Sequence, residues 1–195
     1  MDLCGFTAFV ERNGDEHAVL VLAELRTAMR ESAARRGVRI VKWLGDGAML
    51  SSAMPDAVAA LVAEIDVRMA TSLPSLAVRA GMDRGPVIMF EGDDYIGRPV
   101  NVAARLCDAA DPRELLATES VIAHLPRWMA ATPTTLTTVR GLHADLAVAG
   151  VRIEADGDAV TDPVCGLTIP RSAAIRKGSE WFCSRACAGA DELPR

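Results

Sequence analysis

The chain has 195 residues, half of them hydrophobic, a formal net charge of −5 and no long Lys/Arg run. That is enough apolar material for one good core and a small appendage, and it argues against a nucleic-acid partner, because phosphate-backbone binding needs a basic face. No basic leader with a following apolar run opens the sequence. The apolar segments 18–25 and 57–65 are too short to span a bilayer, so no membrane association and a soluble, cytoplasmic protein are expected.

Residues 1–7 read as the end of a strand running into a helix. Asp15 to Arg36 reads as a helix with Val19, Leu22, Leu25 and Met29 as its apolar stripe and Gly37 as its stop. Arg35 and Arg36 with Arg39 cluster at that helix end, where cations favour the dipole, and read as capping and solvation. Val38 to Trp43 alternates as a strand, Gly45-Asp46-Gly47 turns the chain, and Ala48 to Ser52 returns it as a β-hairpin with an acid at its tip.

Pro55 suits the first turn of a helix to about Ala70, with Ala57, Val58, Leu61, Val62 and Ile65 inward. Leu76–Met82 and Pro86–Phe90 read as a strand pair, and Pro99 to Ala109 as a helix with Val102, Ala103 and Leu106 inward. Segments 115–118, 134–139 and 146–153 complete the sheet. The order β-α-β-β-α-β is a ferredoxin-like arrangement, so the expected fold class is α+β. A polar junction follows, with residues 156–161 as linker, and residues 162–195 form a segment with its own cysteine pattern.

Several residues carry candidate chemistry. Asp2, at a strand end, and Asp46, at an adjacent hairpin tip, can meet over one sheet edge, as two-cation phosphoryl chemistry requires. Asp46 alone also reads as ordinary turn chemistry. Gly5-Phe6-Thr7 opens a helix whose free N–H groups suit phosphates, or it is a plain strand–helix turn with Thr7 as N-cap. Lys42 lies on an alternating strand. Asn101 and Arg105 are four apart, so they project from one helix face. His17, His124 and His143 have no spacing of a ligand set and read as structural or exposed. Five cysteines in a chain with no leader argue for thiols or a metal site over a disulfide framework.

Taken in order, Asp2-Leu-Cys-Gly-Phe-Thr7, Lys42-Trp-Leu-Gly-Asp46 and Tyr95-Ile-Gly-Arg-Pro-Val-Asn101-Val-Ala-Ala-Arg105 resemble the catalytic domain of class III adenylate/guanylate cyclases, over residues 1–155. The resemblance implies ATP conversion to 3′,5′-cyclic AMP and pyrophosphate. It implies Asp2, Leu3 and Asp46 as the holders of two Mg2+ or Mn2+ ions, and Gly5, Phe6 and Thr7 at the phosphates. Lys42 and Asp94 would read adenine, with GTP as the alternative substrate if that pair reads otherwise. Asn101 would orient the ribose, Arg105 would stabilise charge on the α-phosphate, and Arg140 would sit near the terminal phosphates.

Because the whole set lies in one chain, the resemblance further implies a head-to-tail homodimer with two equivalent sites at the interface. A degenerate domain that only binds nucleotide or dimerises is the rival. Two departures bear on this choice. Only Met1 precedes Asp2, so a shortened first strand should leave its neighbours without ladder partners and put a positive amine beside the acid. Trp43 stands where a small residue or Thr is common in the family, and it either fills part of the base pocket or packs.

Asp162-Pro-Val-Cys165-Gly and Trp181-Phe-Cys183-Ser-Arg-Ala-Cys187 resemble a YHS domain. Cys165, Cys183 and Cys187 are candidate ligands for Zn2+ or Cu+, or they only pack in a small hairpin module.

Overall fold

β1 (Asp2–Cys4) ends at Gly5, whose φ of 84° reverses the chain into α1 (Phe6–Asn13). The computed structural model describes residues 1–138, 145–154 and 157–190. Gly5, not Thr7, caps α1, and no side chain bonds to that helix start.

α2 (Asp15–Arg36) has Asp15 and Glu16 in its first turn and Arg35 and Arg36 in its last, the charge order the dipole favours, and stops at a left-handed Gly37. Its buried face runs through Ala18, Val21, Leu25, Ala28, Met29, Ser32, Ala33 and Arg36. The stripe expected through Val19 is corrected: Val19 is 64% exposed. Residues 18–23 are all apolar and hide the helical phase. The phase is set further along, where Ser32 and Arg36 reach Glu64 of α3 (Pro55–Ser72).

Arg36 is likewise no solvated cap. It is 6% exposed and donates to the Glu64 carboxylate at 2.9 Å. Arg35 donates to the same carboxylate at 2.5 Å, so a buried acid three turns into α3 gathers what the sequence presents as a surface cluster.

β2 (Arg39–Leu44) and β3 (Gly47–Ser51) form the expected hairpin. β4 (Ala77–Met82) pairs antiparallel with β1, in the register Asp2 with Arg79 and Cys4 with Ala77. It pairs in parallel with β7 (Leu115–Thr118) on its other edge. A strand has only two edges, so the expected pairing of 76–82 with 86–90 does not form. β5 (Ile88–Phe90) closes on β6 (Asp94–Ile96) instead.

After α4 (Arg98–Ala109), β7 and α5 (Glu119–Ile122), the sheet extends through β8 (Met129–Ala131), β9 (Thr135–Thr137) and β10 (Leu146–Ile153). β10 pairs with β7, β8 and β9. The short first strand does not strand its neighbours. Met1 N–H donates to the Ala48 carbonyl at 3.1 Å, and Ala48 N–H donates back to Met1 at 2.9 Å, joining the β2–β3 hairpin to β1.

α2 and α3 cover one face of the sheet, with Leu25, Met29, Leu61, Ile65, Val78 and Ala80 in the core. α4 covers the other, through Val102 and Leu106 against Leu146 and Val148. Gly81 of β4 permits that approach, since a Cβ there would stand 2.2 Å from the Ala103 carbonyl oxygen and 2.3 Å from the Cys107 nitrogen. Gly81→Ala must push α4 outward, and is expected to cost about 2–3 kcal/mol by overpacking. Urea unfolding of the purified variant checks this, with an unchanged midpoint counting against the packing.

The tail contains two hairpins, β11 (Ala159–Thr161) with β12 (Thr168–Pro170) and β13 (Ile175–Lys177) with β14 (Glu180–Phe182), then α6 (Arg185–Ala190). Residues 159–161, read from sequence as linker, are thus a paired strand. The tail core of Cys165, Leu167, Ile169, Phe182, Cys183 and Cys187 is shared with Ala60 of α3 and with Trp128. Trp128 Nε1 donates to the Cys183 carbonyl at 2.9 Å, so the tail is docked on the first domain. Among the described residues, no helix is long and apolar enough to cross a membrane.

Candidate active site

The hairpin tip and the start of the chain meet at Gly47. A Cβ on Gly47 would lie 2.6 Å from the Met1 carbonyl oxygen and 3.0 Å from Asp2 Oδ1, so a side chain there would displace the Asp2 carboxylate. This brings Asp46 and Asp2 within hydrogen-bonding reach of each other. Partial burial and the Asp2 charge push the Asp46 carboxyl above the usual carboxylate range.

Two facing carboxylates, with the charge of Asp2 raising the proton affinity of Asp46, are a donor set a divalent cation relieves, and hard oxygen ligands suit Mg2+ or Mn2+. The two acids therefore fit the metals the resemblance implies. Leu3 is 3% exposed with its side chain in the core, so only its backbone carbonyl is available as a donor.

The positive charge beside Asp2 is not the chain's first amine, which faces Ala48, but Arg79. Its guanidinium donates to Asp2 Oδ2 at 2.8 Å and to the Asp108 carbonyl at 3.3 Å. Sequence reasoning missed Arg79, although the signal was there. It shares the phase of Gly81 on an alternating strand, and so lies on the face that meets α4.

Lys42 on β2 and Asp94 on β6 come together, with Nζ to Oδ2 at 2.5 Å. The Lys42 ammonium, and then the Tyr95 N–H donating to Oδ1, hold the Asp94 carboxyl below its usual range. Lys42 lines a largely apolar cavity of about 480 Å3 between the β2–β3 hairpin, β4 and α4, with Ala48, Met82, Gly85, Tyr95 and Val100 among its other lining residues. Trp43 does not line it. Its ring packs against the core beneath the guanidinium groups of Arg26 and Arg30, at 4.9 and 5.4 Å.

Asn101 and Arg105 share the exposed face of α4, and Arg105 lies 3.5 Å from Asp108 one turn on. Gly5, Phe6 and Thr7 open α1, where the first-turn N–H groups have no intrahelical acceptor. Arg140 lies outside the described residues, as does His143. His17 is exposed on α2, its ring bonded to the Asn13 carbonyl at 2.8 Å, and among the described residues neither it nor His124 joins a metal-competent cluster.

The expected residues thus occupy three places: Asp2 with Asp46, Lys42 with Asp94, and Asn101 with Arg105. Among the described residues, no hydrogen bond or ion pair directly joins one place to another.

In the tail, the Cys165 and Cys183 sulfurs are 3.6 Å apart, as are those of Cys183 and Cys187. With Asp162 they form a fully buried group whose ligand atoms all lie within 4.8 Å of one another. Sequence reasoning left the three thiols without a fourth residue. Asp162 is that neighbour, but its oxygens accept from the N–H groups of Val164 at 2.8 Å, Cys165 at 3.2 Å and Cys183 at 2.7 Å.

A family model described as the adenylate and guanylate cyclase catalytic domain matches residues 1–148. An uncharacterized protein of Mycobacterium tuberculosis is 34% identical over 129 residues, 66% of this chain, and a Mycobacterium bovis protein matches equally. The chain spans about a third (34%) of the length of these relatives.

Among solved structures, the adenylyl cyclase CyaB from P. aeruginosa aligns with a TM-score of 0.62 at 21% identity, over 80% of this chain and 92% of that one. The adenylate/guanylate cyclase/hydrolase from Silicibacter pomeroyi gives 0.64 at 24%, over 80% and 93%. The guanylate cyclase domain of RhGC from Catenaria anguillulae, in complex with GTP, gives 0.64 at 17%, over 79% and 93%. These likenesses share one fold and include both adenylyl and guanylyl cyclases. With the family match over three quarters of its length and the paired acids in place, the chain belongs to the adenylate and guanylate cyclase catalytic domain family.

Proposed function

We propose that this protein is an adenylate cyclase, forming 3′,5′-cyclic AMP and pyrophosphate from ATP in a homodimer. The observation that carries the choice of base is the Lys42–Asp94 contact at 2.5 Å beside the apolar cavity. An ammonium donates to an adenine ring nitrogen, and the neighbouring carboxylate accepts from the exocyclic amine. Guanine presents a carbonyl at that edge and would meet the carboxylate with like polarity.

The residues then have separate tasks. Asp2 and Asp46, with the Leu3 carbonyl, would hold two divalent cations, which would supply charge neutralisation for the triphosphate and for the attacking oxygen. The N–H groups of Gly5, Phe6 and Thr7 face the β- and γ-phosphates, and Arg140, outside the described residues, is assigned to the terminal phosphates by the family resemblance alone. Asn101 orients the ribose so that its 3′-oxygen lies in line with the α-phosphorus. The bond from that oxygen to phosphorus forms as the bond to pyrophosphate breaks, and the hydroxyl proton leaves to solvent. Arg105 stabilises the charge that builds on the α-phosphate oxygens.

The homodimer is supported by the separation of the three groups within one chain and by the exposed apolar hairpin of β5 and β6, where Ile88 is 72% and Met89 55% exposed. A second copy arranged head-to-tail would bring Asn101 and Arg105 to the other chain's acids and cover that hairpin.

The test is product formation from manganese-ATP and manganese-GTP, beside Lys42→Ala and Asp94→Asn. Wild type should prefer ATP, and each variant should lose that preference by roughly 10–100-fold in kcat/KM ratio. Preference for GTP in the wild type would assign a guanylate cyclase and sink the base reading.

One observation favours a second reading. Arg79 already neutralises Asp2 at 2.8 Å, which suits a domain that binds nucleotide or dimerises without turnover. Nucleotide binding with no product from either substrate would establish it. The YHS-like reading of residues 162–195 rests on the motif alone and is kept with this proposal.

A further inference from the structure

Three tail cysteines leave a chemical question that the catalytic domain does not answer. They come from separate pieces of chain: the turn after Asp162, the end of β14 and the helix α6. All three are buried, yet their sulfurs converge to 3.6 Å across each of the two described contacts. A disulfide needs about 2.05 Å, so these are open thiols. Three sulfurs around one ion at about 2.3 Å stand roughly 4 Å apart, and the cluster lies within a few tenths of an ångström of that spacing.

A second, independent observation is the charge beside them. The Arg36 guanidinium donates to Cys183 Sγ at 3.5 Å and to Cys187 Sγ at 3.6 Å. Arg35, Arg36 and Arg68 all meet Glu64, and Arg68 also meets Glu31. Three guanidinium groups against two carboxylates leave one positive charge over, in a place where Arg36 is nearly water-free. Buried cations require an anionic partner. Among the described residues, the groups bonded to Arg36 that can supply it, besides the shared Glu64 carboxylate, are the sulfurs.

We propose that Cys165, Cys183 and Cys187 form a closed three-thiolate site for a thiophilic metal ion, with Arg36 of the catalytic domain as its counter-cation. Asp162 is not a ligand. Its Oδ1 accepts from the N–H groups of Val164 and Cys165 and its Oδ2 from that of Cys183, so we assign it the part of fixing the backbone of two ligand cysteines. The protein donor set is therefore all sulfur and three in number. Copper(I) is saturated by three soft donors, whereas zinc takes a fourth ligand from water. Because Arg36 ends α2 and Trp128 grips the Cys183 carbonyl, a bound ion also ties the tail to the catalytic domain.

The test is metal loading of the full chain under anaerobic reducing conditions, with zinc and copper(I) in separate arms. The expected result is one ion per chain by native mass spectrometry in at least one arm. X-ray absorption should give three sulfurs, with no further light ligand for copper(I) and one for zinc. Cys187→Ser should weaken binding at least ~100-fold, while Cys4→Ser with Cys107→Ser leaves it unchanged. If Cys187→Ser does not fold, the sulfur count of the wild-type ion decides by itself. No retained ion in either arm, fewer than three sulfurs, or loss of the ion on changing Cys4 and Cys107 overturns the site. None of these readouts depends on cyclase activity, so the site and the proposed function fail separately.

Discussion

Asp46→Ala is expected to lower cyclic nucleotide formation by at least ~1000-fold, equivalent to about 4 kcal/mol of transition-state stabilisation, with no loss of fold. Asp46 occupies a hairpin turn between Gly45 and Gly47, only partly buried and outside the hydrophobic core clusters. Alanine there removes a charge and no core area. It also removes the repulsion from Asp2 that raises the Asp46 carboxyl. Melting temperature is therefore expected to stay the same or rise slightly without metal, while activity with manganese-ATP disappears. Wild-type activity that survives in Asp46→Ala would remove this acid from the chemistry and with it the two-metal reading. Absence of activity in both proteins, with nucleotide still bound, would support the non-catalytic reading that the Arg79–Asp2 pair favours.

Glu64→Gln is expected to cost about 3–5 kcal/mol of folding stability, because removing one member of a buried charge group leaves the others uncompensated. Glu64 is fully buried and accepts from Ser32 at 2.8 Å, Arg35 at 2.5 Å, Arg36 at 2.9 Å and Arg68 at 3.1 Å. Glutamine keeps the volume but offers one oxygen acceptor and brings an amide N–H toward guanidinium groups that can only donate. For a chain of this size the loss is a drop of roughly 10 °C in melting temperature. Calorimetry checks it. A shift of a degree or two would show that the three arginines find water or the tail thiolates instead. The substitution touches neither the paired acids nor the Lys42–Asp94 pair, so any activity that remains should keep its base preference.

These two residues differ in how far the sequence exposed them. Asp46 was legible because its chemistry is local. Glycines on either side fix a turn, alternating residues on both sides fix a hairpin, and the tip position follows from chain order. The same holds for β2, β3, the ends of α2, α3 and α4, and for the spacing that puts Asn101 and Arg105 on one helix face. Asp94 also met its Lys42 as the motif register implied. Apart from the Lys42–Asp94 pair, which rests on the family resemblance, each rests on periodicity or on a cap within a few residues.

Glu64 and Arg36 were not legible. On a helix, Glu64 has the ordinary look of a solvated acid, and Arg36 that of a C-terminal cap. Their burial exists only because α2 and α3 pack side by side and the tail closes over them. The phase of α2 misled for the same reason. A continuous apolar run does not tell which residues face α3, and distant pairing with Glu64 decides it. The partner of β5 was decided by β4 having both edges taken, which is a property of the sheet and not of either segment.

The sequence by itself determined the family, the order of the ferredoxin-like elements and the candidate residues for nucleotide chemistry, since these depend on local spacing along the chain. Tertiary structure alone decided that Arg79 neutralises Asp2, that Glu64 gathers three arginines, and that three thiols from separate elements converge beneath Arg36. Apart from Arg68 with Glu64 and Cys183 with Cys187, each four positions apart, those pairings join residues tens to more than a hundred positions apart, and their strength comes from burial, which no local pattern records.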